Sequence, residues 1–115
     1  MNDKDLVHLR LMLDFAQRVA RRVSGVSIER FLTDEDLQDM VLYAIGQVGE
    51  NAHAISDTTR EKYHELLWGP IIGIRNRVFH SYGNINMSIV FEAITGHIPV
   101  IIRQIEAILK SLGGD

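Results

Sequence analysis

The chain has 115 residues, a length that fits one domain with a single hydrophobic core. Its hydrophobic content of 46% is ordinary for a globular domain, and its net charge of −3 argues against a protein that wraps nucleic acid by bulk positive charge. Cysteine is absent, which excludes disulfides, thiol chemistry and cysteine-bound metals. We therefore expect one domain over residues 1–115, in which any anion site is local.

The N-terminal sequence gives no sign of a targeting segment. MNDKDLVHLR is charged from its third residue and lacks an apolar core, and no run of eighteen uncharged apolar residues occurs anywhere. We expect a cytoplasmic protein with no membrane partner. The isoleucine-rich last helix is expected to serve the core or a dimer interface, since we judge its length too short for a membrane span.

The first half of the chain predicts two long helices. Apolar residues recur three and four positions apart from Leu6 to Val23, which predicts a first helix from about Lys4 to Arg22. Thr33 is the predicted N-cap of the second helix, because three acidic residues follow it. The second helix has a buried stripe and, at Gly46 and Gly49, a smooth side that another helix can approach closely. Its predicted stripe comprises Leu37, Val41, Ala44, Val48 and Ile55.

The second half predicts a short helical piece and two further helices. The short piece covers residues 61–67, and Pro70 suits the first position of the next helix, which is expected to end at Tyr82 with Gly83 as its C-cap. Asn86 is expected to cap the last helix, which Pro99 should kink or break. No segment alternates with period two, so the predicted fold is all-α, an antiparallel bundle of four to five helices.

A polar group interrupts the third long helix, in GIRNRVFHSYGN. Arg75 and His80 are five positions apart, and Tyr82 follows. This spacing arises often by chance. Two cations at the C-terminal end of a helix also have a purely structural interpretation, because they favour the negative end of its dipole.

The surrounding sequence resembles the HEPN superfamily, specifically the HepT-like toxins of HepT/MntA type toxin–antitoxin systems. The resemblance lies in Arg75-Asn76, His80-x-Tyr82, a following turn and a capped helix with Phe91-Glu92, then a proline before the final apolar run. Upstream, AIGQVGENAHAIS resembles the family's second helix, with Gly49-Glu50 in place. The resemblance covers nearly the whole chain.

The resemblance implies a helical homodimer with metal-independent RNase activity on an RNA substrate, needing no cofactor and no metal. It implies that Arg75 and His80 are catalytic, with Asn76 and Glu50 as supporting polar groups. It also implies a partner, a minimal nucleotidyltransferase antitoxin that silences the toxin by attaching AMP to Tyr82.

These residue types suit cleavage of RNA by its own 2′-hydroxyl group. A histidine can accept and release a proton near neutral pH, and an arginine can donate two hydrogen bonds to phosphoryl oxygens while keeping its charge. Five helical steps rotate by about 140°, so Arg75 and His80 do not share a face of one helix. We therefore predict that two copies of this helix meet across a two-fold axis and form one cleft.

Two alternatives stay open at this point. The chain could be a non-catalytic HEPN module that binds nucleotide or RNA beside a nucleotidyltransferase, or a dimeric scaffold that retains a relic of the motif. His8, His64 and His97 have no metal-ligand spacing. Trp68 is expected to anchor packing.

Overall fold

A computed structural model describes residues 1–80 and 85–113, with all side chains except those of residues 77–80. The described residues form six helices and no strand, which confirms the all-α prediction. Four of these helices are long and two are short. In chain order they are α1 (Asp3–Val23), α2 (Ile28–Thr33), α3 (Glu35–Ala54), α4 (Asp57–Lys62), α5 (Trp68–His80) and α6 (Met87–Ser111).

The first long helix, α1, lies where the apolar spacing places it, but the cap predicted for α3 is wrong. Asp34, not Thr33, is the N-cap of α3, because its carboxylate accepts the N–H of Leu37 at 3.0 Å. Thr33 is instead the last residue of α2, and its hydroxyl donates back to the carbonyl oxygen of Glu29. The α2 helix was not predicted.

The short helix predicted over residues 61–67 is also misplaced. The helix α4 begins at Asp57, and Ser56 caps it by accepting the N–H of Thr59 at 3.4 Å. The chain then turns through residues 63–66 before α5 begins. The helix therefore begins four positions before the predicted start, and Asp57, Thr58 and Thr59 belong to a helix and not to a loop.

The last helix, α6, is continuous over 25 residues with Pro99 inside it, so of the two predicted outcomes, a kink or a break, the break does not occur. Asn86 caps it as predicted, since its side-chain oxygen accepts the N–H groups of Ser88 and Ile89. The expectation that its length rules out a membrane span is wrong as well: by length and composition alone α6 could cross a membrane. Core helices of soluble proteins meet the same criterion, and one face of α6 is buried against the rest of this domain.

The hydrophobic core lies where α3 packs against α1 and α5, and where α6 packs against α1 and α2. The rings of Phe31 in α2 and Phe91 in α6 are 5.1 Å apart, so the short helix closes the core against α6. Of the stripe predicted for α3, Leu37 is half-buried and the other members are fully buried. This core fixes α3 as the helix on which the candidate site is built.

Candidate active site

The start of α5 is anchored by Trp68, the only tryptophan of the chain. Its indole is buried, and its Nε1–H donates to the carbonyl oxygen of Tyr63 at 2.9 Å. The N–H of Ile71 closes the first turn on the carbonyl oxygen of Leu67 at 3.0 Å. Pro70 lies within this turn, where a missing N–H costs no helical hydrogen bond. The predicted packing role of Trp68 is confirmed.

The helices α3 and α5 approach each other most closely at Gly49. A Cβ atom placed on Gly49 would lie 2.6 Å from the Cβ of Arg75 and 2.8 Å from the carbonyl oxygen of Ile71. No side chain larger than hydrogen fits there without moving α5. Gly49 therefore sets the distance between the two helices, and it does so directly opposite the first residue of the polar motif.

The guanidinium group of Arg75 is held at two points. Its Nε–H donates to Oε2 of Glu50 on α3, and its Nη1 donates to Oδ1 of Asn76 at 3.1 Å. The Arg75 side chain is 25% exposed and that of Glu50 is 46% exposed. The structure thus brings together three of the residues that the sequence singled out, with a cation at the surface of the domain.

The other two residues of the motif are described less fully. His80 is the last residue of α5, and its side chain lies outside the described set. Tyr82 and the predicted glycine cap Gly83 lie outside the described residues. The helical positions of Arg75 and His80 give the rotation of about 140° that five helical steps impose.

A protein-family model matches the part of the chain that contains Arg75, Asn76 and Glu50. The model described as "Ribonuclease HepT-like" matches residues 12–108, a range that holds α3, α5 and most of α1 and α6. This chain belongs to the HepT-like family. The assignment agrees with the HEPN resemblance of the sequence.

Several proteins similar to this HepT-like chain carry the name "Putative RNase". One from Caldanaerobacter subterraneus subsp. tengcongensis is 29% identical over 103 residues, covering 90% of this chain and 92% of the relative. One from Methanocaldococcus jannaschii is 26% identical over 92 residues, covering 80% and 76%. Another protein of that organism, named gamma-glutamylcyclotransferase and putative RNase, is 23% identical and matches over 48% of its length. No solved structure shows a significant match.

Sequence reasoning placed Glu50 near the site of this HepT-like protein but missed its partner. Glu50 and His53 lie three positions apart on α3, a spacing that would allow a hydrogen-bonded pair. His53 is exposed, and the Glu50 carboxylate instead contacts Arg75, 25 positions later. Gly49 was the feature of the sequence that could have revealed this contact. A glycine that permits close contact between two helices makes the adjacent residue, here Glu50, a candidate for contact with the second helix as well. Within the described part of the chain, no three His, Asp or Glu side chains are grouped to hold a metal ion.

A separate apolar groove of the HepT-like fold runs between α5 and α6, over α3. It encloses about 220 Å³. Its walls include Ile71 and Ile74 of α5 and the half-exposed Ile89 of α6, while Asn86 and His97 supply its polar edge. Arg75 does not line the groove, so the groove and the cation lie at different places around α5.

Proposed function

We propose that this HepT-like protein is an endoribonuclease that cleaves RNA without a metal ion, in a cleft formed by two copies of the chain. The observation that carries the proposal is the Arg75 guanidinium, which α3 holds at the surface of the same helix that ends in His80. The family assignment and the names of its relatives support an RNase.

The proposed reaction uses the RNA's own nucleophile. His80 removes the proton of a 2′-hydroxyl, the 2′-oxygen forms a bond to the adjacent phosphorus, and the bond from phosphorus to the 5′-oxygen breaks. The second His80 of the dimer gives a proton to the departing 5′-oxygen, which leaves a 2′,3′-cyclic phosphate and a free 5′-hydroxyl. Arg75 donates hydrogen bonds to the phosphoryl oxygens as negative charge develops on them. DNA lacks the 2′-hydroxyl and should not react.

Tyr82 is the proposed control point. In a toxin–antitoxin system the minimal nucleotidyltransferase would direct the Tyr82 phenol oxygen onto the α-phosphorus of ATP. A bond from oxygen to phosphorus forms, the bond to the β-phosphate breaks, and pyrophosphate and the phenolic proton leave. The attached AMP adds negative charge and bulk two positions from His80, where it would compete with RNA for Arg75.

Cleavage of total RNA in the presence of EDTA tests the proposal. The parent protein should produce cyclic-phosphate ends, while Arg75→Ala and His80→Ala, purified in parallel, should be slower by about a hundredfold or more. Arg103→Ala and His64→Ala change exposed residues of the same types and should match the parent. Prior incubation with the nucleotidyltransferase and ATP should silence the parent but not Tyr82→Phe.

Two outcomes would overturn the enzyme assignment. Equal cleavage by the parent and His80→Ala would identify a contaminating nuclease. RNA binding without cleavage by either protein would favour the non-catalytic binding module, in which the same cation only holds phosphate.

A further inference from the structure

The Arg75 side chain is restrained before any substrate arrives. Nε–H is bound to Glu50 and Nη1 to Asn76. A guanidinium group has five N–H donors, so three remain without a partner among the described residues, including both on Nη2. A free arginine samples many rotamers and loses that freedom when it binds a ligand. Here the two contacts remove much of that freedom in advance and leave enough donors for a forked contact to phosphate.

The ion pair between Glu50 and Arg75 contributes little to the stability of the folded domain. Both side chains of the ion pair reach solvent, with exposed fractions of 25% for Arg75 and 46% for Glu50, and ion pairs of this kind contribute little to stability. The Glu50 carboxylate also has a cost for an RNA-binding site, because its negative charge repels phosphate and partly neutralises the cation. An apolar or amide side chain in its place would favour anion binding more.

We propose that Glu50 is a positioning residue that orients Arg75 for contact with the scissile phosphate. This inference rests on the proposed RNase function. The contact lowers the ground-state affinity for RNA because the Glu50 charge repels phosphate. It raises the rate of the chemical step because an arginine side chain that is already oriented loses less conformational freedom as negative charge develops on the phosphate. Gly49 makes the contact possible by letting α5 approach α3 beside Glu50.

Substitutions at Glu50 separate its charge from its hydrogen bond. Glu50→Gln keeps an acceptor for the Nε–H of Arg75 and loses the charge, so KM for an RNA oligonucleotide should fall about threefold with kcat within about threefold of the parent. Glu50→Ala loses both, so kcat should fall about tenfold or more without a rise in KM. Glu50→Asp keeps the charge on a shorter stem and should lose kcat as Glu50→Ala does.

A matched control is Asp39→Asn, which removes an exposed acid from the same helix about three turns earlier and should leave kcat and KM unchanged. Melting curves of each variant establish that it folds, and Glu50→Gln and Glu50→Asp carry the comparison if Glu50→Ala does not fold. Parental kcat in both Glu50→Ala and Glu50→Asp would overturn the inference while the RNase assignment stands. Loss of kcat in Glu50→Gln equal to that in Glu50→Ala would also overturn it, because Glu50 would then be moving a proton. A parent protein that does not cleave RNA would overturn the inference and the proposed function together.

Discussion

At the scale of single residues, Asp5 is buried although it carries a carboxyl group. Its two oxygens accept the N–H of Ser56 at 3.0 Å, the Ser56 hydroxyl at 2.6 Å and the Thr59 hydroxyl at 2.6 Å. Burial by itself would raise the pKa of Asp5, but these hydrogen bonds and the nearby His8 outweigh it and lower the pKa below its ordinary value. The folded protein therefore favours the charged form, which ties α1 to α4.

The lowered pKa predicts a specific loss of stability in acid. Because the folded pKa is below the unfolded one, the contribution of Asp5 is fully present above the unfolded pKa of about 3.9 and is lost as pH falls through the folded value. Asp5→Asn should lower the free energy of unfolding by about 1–3 kcal/mol at pH 7, and the gap to the parent should narrow below about pH 4. Urea unfolding from pH 7 to pH 3 measures both. Asp3→Asn, which changes an exposed acid two positions earlier in the first turn of α1, is the control, and a gap that stays constant with pH would contradict the assignment.

Individual residues of the site could be predicted from the sequence, but their contacts could not. The resemblance singled out Arg75, Asn76 and Glu50, and the structure brings these three side chains together. The contact between Arg75 and Glu50 joins positions 25 apart and depends on how α3 and α5 cross. Asp5 was missed because an acid in the first turn of a helix usually faces solvent, and its partners come from a segment whose helix was misplaced.

At the scale of helices, the crossing of α3 and α5 depends on Gly49. A glycine inside a helix costs about 1 kcal/mol relative to alanine, and the sequence therefore predicted a compensating close contact. The structure confirms this contact at Gly49, where the hydrogen atom faces the backbone of Ile71 and the Cβ of Arg75. The same crossing that packs the core thus places Arg75 beside Glu50.

Substitution of two glycines by alanine distinguishes packing from helix propensity. Gly49→Ala would put a methyl group 2.8 Å from a backbone oxygen, so α5 must shift, and we expect a loss of about 1–3 kcal/mol in unfolding free energy. Gly73→Ala in α5 meets nothing within 4 Å and should be neutral or stabilising by up to about 1 kcal/mol. Urea unfolding of both variants checks the difference. Equal effects would show that Gly49 is not a packing constraint. RNA cleavage should fall only in Gly49→Ala.

Short helices were harder to predict than long ones because a helical period needs about eleven residues to be recognised. The helices α2 and α4 have six residues each, less than two full turns. Their serine caps, Ser27 and Ser56, are the local signals that could have revealed them, since each side-chain oxygen accepts an N–H three positions later. The possibility that Pro99 breaks the last helix was given too much weight, because apolar residues of α6 on both sides of Pro99 pack into the core and stabilise the helix.

At the scale of the whole molecule, the sequence predicted the fold class well because apolar periodicity reports directly on long helices. The core that forms from these faces leaves the Arg75 cation at the surface. His80 lies on a different side of α5 by helical rotation. Positions 75 and 80 of one copy are therefore on different sides of the same helix, which is why we propose that a second copy completes the cleft.

Mixing the parent with an inactive variant tests this proposed sharing of the cleft. If one cleft needs both His80 residues of a dimer, a mixed dimer of the parent with His80→Ala should be inactive. In an equal mixture after co-refolding about a quarter of the dimers are parental, so RNase activity should fall to about a quarter of the value for the same total amount of protein refolded from the parent alone. The matched control co-refolds the parent with Arg103→Ala, which should keep full activity. Sedimentation of the parent should show a dimer. Activity of about a half in a mixture that contains mixed dimers would mean that each chain cleaves RNA with its own His80, and the shared cleft would be wrong.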